Sequence, residues 1–311
     1  MEKKDIHLIG FLSNVDDSIL KLDLGQPFTI EKISQGDAIS FIRNIREFYG
    51  TESDNGILAI EDRVNGIVHD QSFYYYCVMA RNIESFESTP QGGVVIRYGA
   101  LENIVEPIRN KLRLLRLFKE GNILLLFSLL YHLVEDKPRA FSFCREWPLT
   151  ERTVFKLKDD NEVSCAHDFI NKVKIPFDKE FLRLAFESFE LSYETHSAPL
   201  NFLSLMISLE TLLNPSDKEL RYRISRNVAV LLGKDTDDSE RIFKEVREMY
   251  DKRSELVHTG SANKVSPKDV FRLRYYVRET IKEMQAIGRD KEDILKILNA
   301  CGFGQRPWRN E

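Results

Sequence analysis

The sequence has few of the features that mark disulfide-bonded, zinc-binding or membrane-spanning proteins. Only four cysteines occur among 311 residues, and no two of them form a C-x-x-C pair. This scarcity argues against a disulfide framework and a zinc ribbon, and a reducing cytoplasm is the simplest setting for such thiols. The N-terminus turns polar too soon for a signal peptide, and the longest apolar run, residues 123–134, is shorter than the roughly 20 residues of a bilayer span. We therefore expect a cytoplasmic protein with no membrane partner.

Familiar catalytic and cofactor-binding motifs are missing as well. The sequence has no G-x-x-x-x-G-K-[ST] loop, no G-x-G-x-x-G, no H-E-x-x-H and no G-x-S-x-G. The histidines other than His258 are scattered without the spacing of metal ligands. The acidic residues between 235 and 238 have a sufficient explanation at a helix N-terminus, where the helix dipole favours negative charge. We therefore expect no metal and no cofactor.

Neither sign of charge is in marked excess. The net charge is −4 and hydrophobic residues make up 42% of the chain. These values exclude global disorder and a molecule-wide positive field for nucleic acid, so any contact with RNA must be local. The length is comfortable for two domains.

The first half of the chain has the composition of a mixed α/β domain. A helix is expected to begin near Asp37, and another helical stretch runs from residue 101 to 134 with a break at Gly121-Asn122, so that residues 123–134 are expected to form a buried core helix. Asn65-Gly66 is a turn signal. Runs rich in Ile, Val, Phe and Tyr predict strands at Ile6–Leu12, Ile57–Val64, Phe73–Ala80 and Val94–Tyr98.

The second half contains only helical patterns. A charged transition from about residue 150 to 176 precedes it, and Ser266-Pro267 marks one clear helix start. The fold class is therefore α+β, with a mixed α/β domain over residues 1–175 and an all-α antiparallel helical bundle over residues 176–311. The six predicted helices cover about 178–194, 199–214, 218–232, 235–260, 266–288 and 291–300.

The fourth of these helices carries the residues best suited to chemistry. Its apolar stripe runs through Val246, Met249 and Tyr250, and the next step falls on Arg253. An arginine in a core-facing stripe is costly unless it is paired or faces a partner. The helix dipole favours the protonated form of His258, near the helix C-terminus, whereas the positive charge of Arg253 disfavours that form. A histidine under these opposed influences is suited to general acid–base catalysis near neutral pH. Ser254 shares a helix face with His258.

A family resemblance gives these residues a more specific meaning. The string RSELVH, from Arg253 to His258, resembles the R-x4–6-H motif of the HEPN superfamily, helical-bundle domains of which many are ribonucleases. Over roughly residues 178–300, three segments resemble the Apea-like HEPN family in order and spacing. They are SLETLL (208–213), ELRYRISRNVAVLLG (219–233) and IFKEVREMYDKRSELVHTG (242–260).

The resemblance implies a dimer in which the motif helices face each other and two Arg-His pairs build one site. Active HEPN members are metal-independent endoribonucleases. His258 would then handle the proton of the ribose 2′-hydroxyl or of the leaving 5′-oxygen, and Arg253 would stabilise charge on the scissile phosphate. Many HEPN nucleases have Asn, Asp or His after the arginine, where this chain has the weaker polar residue Ser254. Such proteins often serve as toxins or phage-defence effectors.

Other residues are candidates for supporting roles. Glu210 lies on the apolar stripe of the second helix and could orient Arg253, or it could pair with an arginine of the third helix. Tyr250 lies one turn before Arg253 and is a further supporting candidate. A basic set could guide an RNA backbone, or could equally be a solvated surface; it comprises Arg221, Arg223, Arg226, Arg247 and Lys252.

Two alternatives to a nuclease stay open. The bundle could be a non-catalytic HEPN module for dimerisation or for binding nucleotides or RNA, or a scaffold in which Arg253 forms only a buried ion pair. A catalytic pair should line a cleft that solvent can reach, whereas a scaffold arginine should be fully satisfied within one chain. Residues 1–175 show no nameable chemistry. By position this domain could be a sensor, a substrate-selecting module or an inhibitory cover for the nuclease, and it could bind a regulatory partner.

Overall fold

The chain divides into two compact units. The computed structural model describes residues 3–41, 74–83, 85–87, 100–145, 153–214, 219–306 and 308. The described residues up to Val173 form one unit, and those from Lys174 onward form the other. The first unit combines strands and helices, whereas the described part of the second contains helices and no strand. The fold class is therefore α+β.

The described residues of the first unit include the strands Lys3–Asp5 (β1), His7–Ser13 (β2), Phe28–Ser34 (β3), Tyr74–Ala80 (β4), Ser85–Glu87 (β5), Leu124–Val134 (β6) and Lys137–Arg145 (β7). Five of these strands form an antiparallel sheet in the order β3-β4-β2-β6-β7. A separate ladder pairs β1 with β5. The strands expected at 6–12 and 73–80 are confirmed as β2 and β4, whereas those expected at 57–64 and 94–98, and the turn at Asn65-Gly66, lie outside the described residues.

The apolar run at 123–134 forms strand β6, so the expectation of a core helix there is wrong. β6 pairs with β2 on one side and with β7 on the other, which satisfies its backbone hydrogen bonds within the sheet. Phe127, Leu129 and Tyr131 pack into a core cluster with Phe11, and the helix Ala100–Phe118 (α1) packs against the same strand. A strand that is apolar on both faces has no alternation, so its sequence resembles that of a buried helix.

The ends of the helices in this unit have local causes. The expected break after α1 is confirmed, because Gly121 adopts φ +150° and a Cβ there would lie 2.5 Å from the Phe155 Cα. The charged transition contains a helix, Asp160–Lys172 (α2), that was not expected. Asp159 caps α2 by accepting a hydrogen bond from the Glu162 N–H at 2.8 Å, as acidic N-cap residues do.

The second unit contains the six expected helices, within a few residues of their expected ends. Ser266 and Asp269 form a reciprocal capping box at the start of α7, and Gly288 ends that helix at φ +68°. The bounds are Glu180–Leu191 (α3), Ala198–Leu213 (α4), Leu220–Leu232 (α5), Thr236–Thr259 (α6), Pro267–Ile287 (α7) and Lys291–Ala300 (α8).

Helix α4 lies at the centre of this unit. It contacts each of the five other helices, which explains why its sequence, APLNFLSLMISLETLL, is apolar on nearly every face. Leu205, Met206, Leu209 and Leu212 are completely buried. Glu210 is the one charged residue of α4.

Candidate functional site around Arg253

Helix α6 carries the two candidate catalytic residues, Arg253 and His258, and has a capping residue at each end. Asp235 caps its N-terminus, where its side chain accepts a hydrogen bond from the Asp238 N–H at 2.8 Å. Gly260 ends it in the left-handed conformation at φ +67°. Asp237 and Asp238 lie in the first turn of the helix, where the dipole favours negative charge. Among the described residues there is no group of three side chains that could hold a metal ion.

Arg253 and Glu210 form an ion pair between α6 and α4. Arg253 Nε lies 3.3 Å from Glu210 Oε1, and the two side chains are 27% and 21% exposed. Oε1 is itself buried and has no hydrogen-bond partner among the described residues, so the contact is ionic rather than a directed hydrogen bond. Solvent can therefore reach both side chains, whereas an arginine that served only as a scaffold would be fully buried.

Tyr250 completes this cluster from the same helix as Arg253. Its ring centroid lies 5.8 Å from the guanidinium carbon of Arg253, within the range of a cation–π contact. The pKa of Tyr250 is raised chiefly by burial, and the negative charge of Glu210 adds to that effect. Three of the predicted site residues are therefore brought together: Glu210, Tyr250 and Arg253.

The terminal amino groups of Arg253 are not used in this cluster. The ion pair engages Nε, and neither Nη1 nor Nη2 has a hydrogen-bond partner in the described part of the chain. A guanidinium held at one edge can still present the other edge to an oxyanion in a bidentate manner. The ion pair therefore restricts the orientation of Arg253 and leaves its binding capacity available.

His258 is exposed and lies apart from this cluster. Helix α6 is regular up to Thr259, so the five-residue step from Arg253 to His258 rotates the side chain by about 140°. The Gly260 N–H bonds to the Leu256 carbonyl at 3.1 Å, which shows that the last turn is undistorted. A distorted last turn that would bring the two residues together is therefore excluded. Half-buried Ser254 shares the face of His258.

The predicted RNA-binding residues differ in how far they are already engaged. Arg221 Nη1 bonds to Asp251 Oδ1 and Lys252 Nζ to Asp269 Oδ1, both at 2.6 Å. Arg223 Nε lies 3.8 Å from a Glu219 carboxylate oxygen. Arg247 is exposed and forms no ion pair within the described residues. It is therefore the member of the set most available to a phosphate.

Arg226 has a structural role that its sequence context did not indicate. Its guanidinium donates to the carbonyl oxygens of Leu298 at 2.9 Å and of Cys301 at 2.6 Å. These carbonyls belong to the C-terminal end of α8, where backbone acceptors lack intrahelical partners. Arg226 therefore caps α8, which leaves few of its donors for RNA.

A second polar cluster, between α6 and α7, was missed from the sequence. Glu245 accepts hydrogen bonds from Arg272 Nε at 2.7 Å, from Arg241 Nη1 at 2.7 Å and from the Tyr276 hydroxyl at 2.6 Å. Burial opposes ionisation, but these hydrogen bonds lower the pKa of Glu245 to about 2. The Arg241–Glu245 spacing of four residues was a readable signal, whereas the contribution of α7 was not.

Comparison with known proteins adds no relative to these observations. No helix among the described residues is long and apolar enough to cross a membrane. No family model, curated protein or solved structure gives a significant match to the chain. The functional argument therefore depends on the residues themselves and on the motif resemblance.

Proposed function

We propose that the protein is a metal-independent endoribonuclease of HEPN type that uses Arg253 and His258. The observation that carries the proposal is the set of contacts that Arg253 makes and the set of donors that it leaves unused. Its Nε is paired with Glu210, its terminal amino groups are unused, and it lies on the same helix as an exposed histidine. A toxin or phage-defence role, and a regulatory partner for the first unit, follow from the resemblance and the two-unit organisation.

The chemistry assigns one task to each residue. The terminal amino groups of Arg253 bind the non-bridging oxygens of the scissile phosphate and stabilise the charge that develops there. His258 takes the proton of the ribose 2′-hydroxyl or donates a proton to the leaving 5′-oxygen. The 2′-oxygen attacks the phosphorus and the bond to the 5′-oxygen breaks, so the products carry a 2′,3′-cyclic phosphate and a 5′-hydroxyl. DNA lacks the nucleophile and would not be cleaved.

Two copies are needed for this site. Within one copy, Arg253 and His258 diverge by about 140° around a regular helix, and His258 is exposed to solvent. A second copy related by a two-fold axis could place its own His258 beside Arg253. The proposed site therefore uses Arg253 of one subunit and His258 of the partner subunit.

The exposed stripe of α4 supports a dimer on this side of the unit. Leu200 and Ile207 are 55% and 52% exposed, and Leu203 between them is partly exposed. The next step of three residues along the stripe reaches Glu210, which pairs with Arg253. Apolar side chains in continuity with the candidate site are suited to burial against a second copy.

Replacing Ile207 by aspartate is expected to convert the dimer to a monomer. A charge in the buried centre of an interface lacks solvation, which weakens association by a few kcal/mol, or about 100-fold or more in Kd. Sedimentation measures the oligomeric state, and Phe271→Asp is the matched control because Phe271 is 48% exposed on α7. Equal effects of the two substitutions, or an unchanged dimer in Ile207→Asp, would count against the α4 interface.

A cleavage assay in EDTA tests the function directly. The wild-type protein is expected to cut single-stranded RNA without divalent metal and to leave the matching 2′-O-methyl RNA and DNA intact. The product ends are identified by mass spectrometry, where the cyclic phosphate is lighter by one water. Cleavage of the 2′-O-methyl strand, or dependence on metal, would contradict the proposed chemistry.

The non-catalytic module is the second candidate, and the serine after the arginine favours it. Ser254 is a weaker polar group than the Asn, Asp or His common at this position. In that case the folded dimer binds 2′-O-methyl RNA and ordinary RNA alike, His258→Ala does not weaken binding, and no cleavage occurs. Fluorescence anisotropy with labelled RNA distinguishes the two candidates.

A further inference from the structure

We infer that one exposed face of α7 is a docking surface for single-stranded RNA, separate from the Arg253 cluster. This face, the α7 surface, is made of Lys268, Phe271, Arg272 and Tyr275. Bases stack on its two aromatic rings, and its two cations contact the phosphates. The inference rests on the proposed function for the choice of RNA as the ligand, and it deepens that function with a second contact region.

Two aromatic rings of the α7 surface are open to solvent. Phe271 and Tyr275 are 48% and 43% exposed, although phenylalanine is among the residue types most often fully buried. They are four residues apart, so they lie on the same side of the helix, about 6 Å apart along its axis. A pocket of about 600 Å³ adjoins Phe271, and its lining consists of Glu245, Pro267, Lys268, Phe271 and Arg272. The two rings can therefore each accept the face of a base.

Two cations lie among these rings. Lys268 is exposed and forms no ion pair among the described residues. Arg272 Cζ lies 5.7 Å from the Tyr275 ring centroid, within the range of a cation–π contact. Its Nε and Nη2 bond to Glu245 at 2.7 and 3.2 Å, which leaves Nη1 without a hydrogen-bond partner in the described part of the chain. Arg272 is therefore held in place and can still donate to a phosphate oxygen.

The charge left over on the α7 surface is positive. Glu245 Oε1 accepts hydrogen bonds from Arg241 and Arg272, and its Oε2 accepts from Arg272 and from a tyrosine hydroxyl. Arg241 is also paired with Asp238. The two arginines balance these two carboxylates, and the charge of Lys268 remains. Lysine is depleted from protein–protein interfaces, whereas a cation beside aromatic rings is typical of surfaces that bind single-stranded nucleic acid.

The α7 surface starts beside the helix that carries the candidate site. Lys252, the residue before Arg253, bonds through Nζ to Asp269 Oδ1 at 2.6 Å. Asp269 follows Lys268 in the first turn of α7. The α7 surface is therefore anchored to α6 at the position next to Arg253, which suits a docking region for the strand that the candidate site would cut.

The first experiment measures binding of a fluorescein-labelled 2′-O-methyl oligoribonucleotide, which lacks the proposed nucleophile. Phe271→Ala is expected to raise Kd about ten-fold, the loss typical of one stacked base. Phe271→Trp, which keeps a ring, should bind like the wild type, and Phe271→Leu, which keeps only apolar area, should bind like Phe271→Ala. Tyr74→Ala is the matched control, because Tyr74 is 49% exposed and lies 4.9 Å from Lys32 Nζ. An unchanged Kd in Phe271→Ala, full affinity in Phe271→Leu, or an equal loss in Tyr74→Ala would overturn the inference.

The salt dependence of binding tests the phosphate contact of Lys268. A plot of log Kobs against log salt concentration should be less steep by about 0.7 in Lys268→Gln, the value for one phosphate of a single strand. Lys296→Gln, which removes an exposed lysine of α8, is expected to leave the slope unchanged. Equal slopes in wild type and Lys268→Gln would count against RNA as the ligand of this surface.

These measurements separate the inference from the proposed function. If Phe271→Ala weakens binding and the wild type cleaves no RNA, only the proposed function fails. If the wild type cleaves RNA and Phe271→Ala binds it unchanged, only the inference fails, and a wild type that binds no RNA overturns both. Sedimentation of Phe271→Ala tests a second copy of the chain as the occupant, since a changed oligomeric state would assign the α7 surface to that copy and overturn the inference.

Discussion

A mixture of the Arg253→Ala and His258→Ala proteins is expected to cleave RNA although neither protein does so alone. Arg253 and His258 point about 140° apart on one regular helix, so the proposed site takes one residue from each subunit. A mixed dimer contains one intact pair, made of Arg253 from one subunit and His258 from the other. If the subunits associate at random, half of the dimers are mixed, and each mixed dimer retains one of the two Arg-His pairs of a wild-type dimer. Roughly a quarter of the wild-type rate then returns if each pair contributes independently.

Each single substitution is expected to have a large effect. Loss of a general acid or base typically costs about 10²–10⁴-fold in rate, and loss of a donor that stabilises the transition-state charge costs about 10²–10³-fold. Recovery to a quarter of the wild-type rate would therefore be far above either background. The rates are measured on a fluorescent RNA in EDTA, after the mixture has been incubated long enough for subunit exchange.

The control is a mixture of Arg253→Ala with the double variant Arg253→Ala/His258→Ala. These mixed dimers contain no intact pair, so no activity should return. Co-purification through a tag on one variant verifies that mixed dimers form. If such dimers form and the first mixture stays inactive, the two residues do not act across subunits.

Glu245→Gln is expected to lower the free energy of unfolding by about 2 kcal/mol. Glu245 receives hydrogen bonds from Arg241, Arg272 and Tyr276, and these bonds lower its pKa from the ordinary 4.5 to about 2. A shift of that size corresponds to at most about 3 kcal/mol. Solvent screens part of it, because the side chains of Glu245 and Arg272 are partly exposed.

The same substitution has a defined pH dependence. The pKa of Glu245 is lower in the folded state than in the unfolded state, so its stabilisation is fully present above about pH 4.5 and is lost as the pH falls through about 2. The difference in stability between wild type and Glu245→Gln should therefore be largest near neutral pH and shrink on acidification. Urea unfolding at several pH values gives this difference directly.

Glu248→Gln provides the control for this prediction. Glu248 lies on the same helix, is exposed, and forms no ion pair among the described residues. Its replacement is expected to change the free energy of unfolding by less than about 0.5 kcal/mol at any pH. If both variants have the same stability and the same pH profile, the hydrogen bonds of Glu245 do not contribute to folding.

The helices of the second unit were predictable because their signals are local. Ser266, Pro267 and Asp269 mark the start of α7, and Gly260 and Gly288 end two helices in the left-handed conformation. Strand β6 was mistaken for a helix because a strand apolar on both faces does not alternate. Helix α2 was missed because its charged first turn resembled a linker, although Asp159 was a readable cap.

The candidate site was predictable only in part. Glu210 and Arg253 could be predicted as site residues because each interrupts an apolar stripe, and the structure places them in contact. Arg226 gave no such signal, since its acceptors are backbone carbonyls of a distant helix. Arg274 is completely buried and donates to the carbonyl of Ser192 at 2.9 Å, a partner that no sequence spacing relates to it.

Local signals are enough to predict where the helices of the second unit begin and end and that α6 carries both Arg253 and His258, because caps and helical periodicity act over a few residues. Three relations required the folded chain: Glu210 faces Nε of Arg253, Tyr250 lies beneath the guanidinium, and His258 points elsewhere. Those relations depend on how α4 packs against α6, and such packing is set by the shapes of whole helix surfaces rather than by any local pattern.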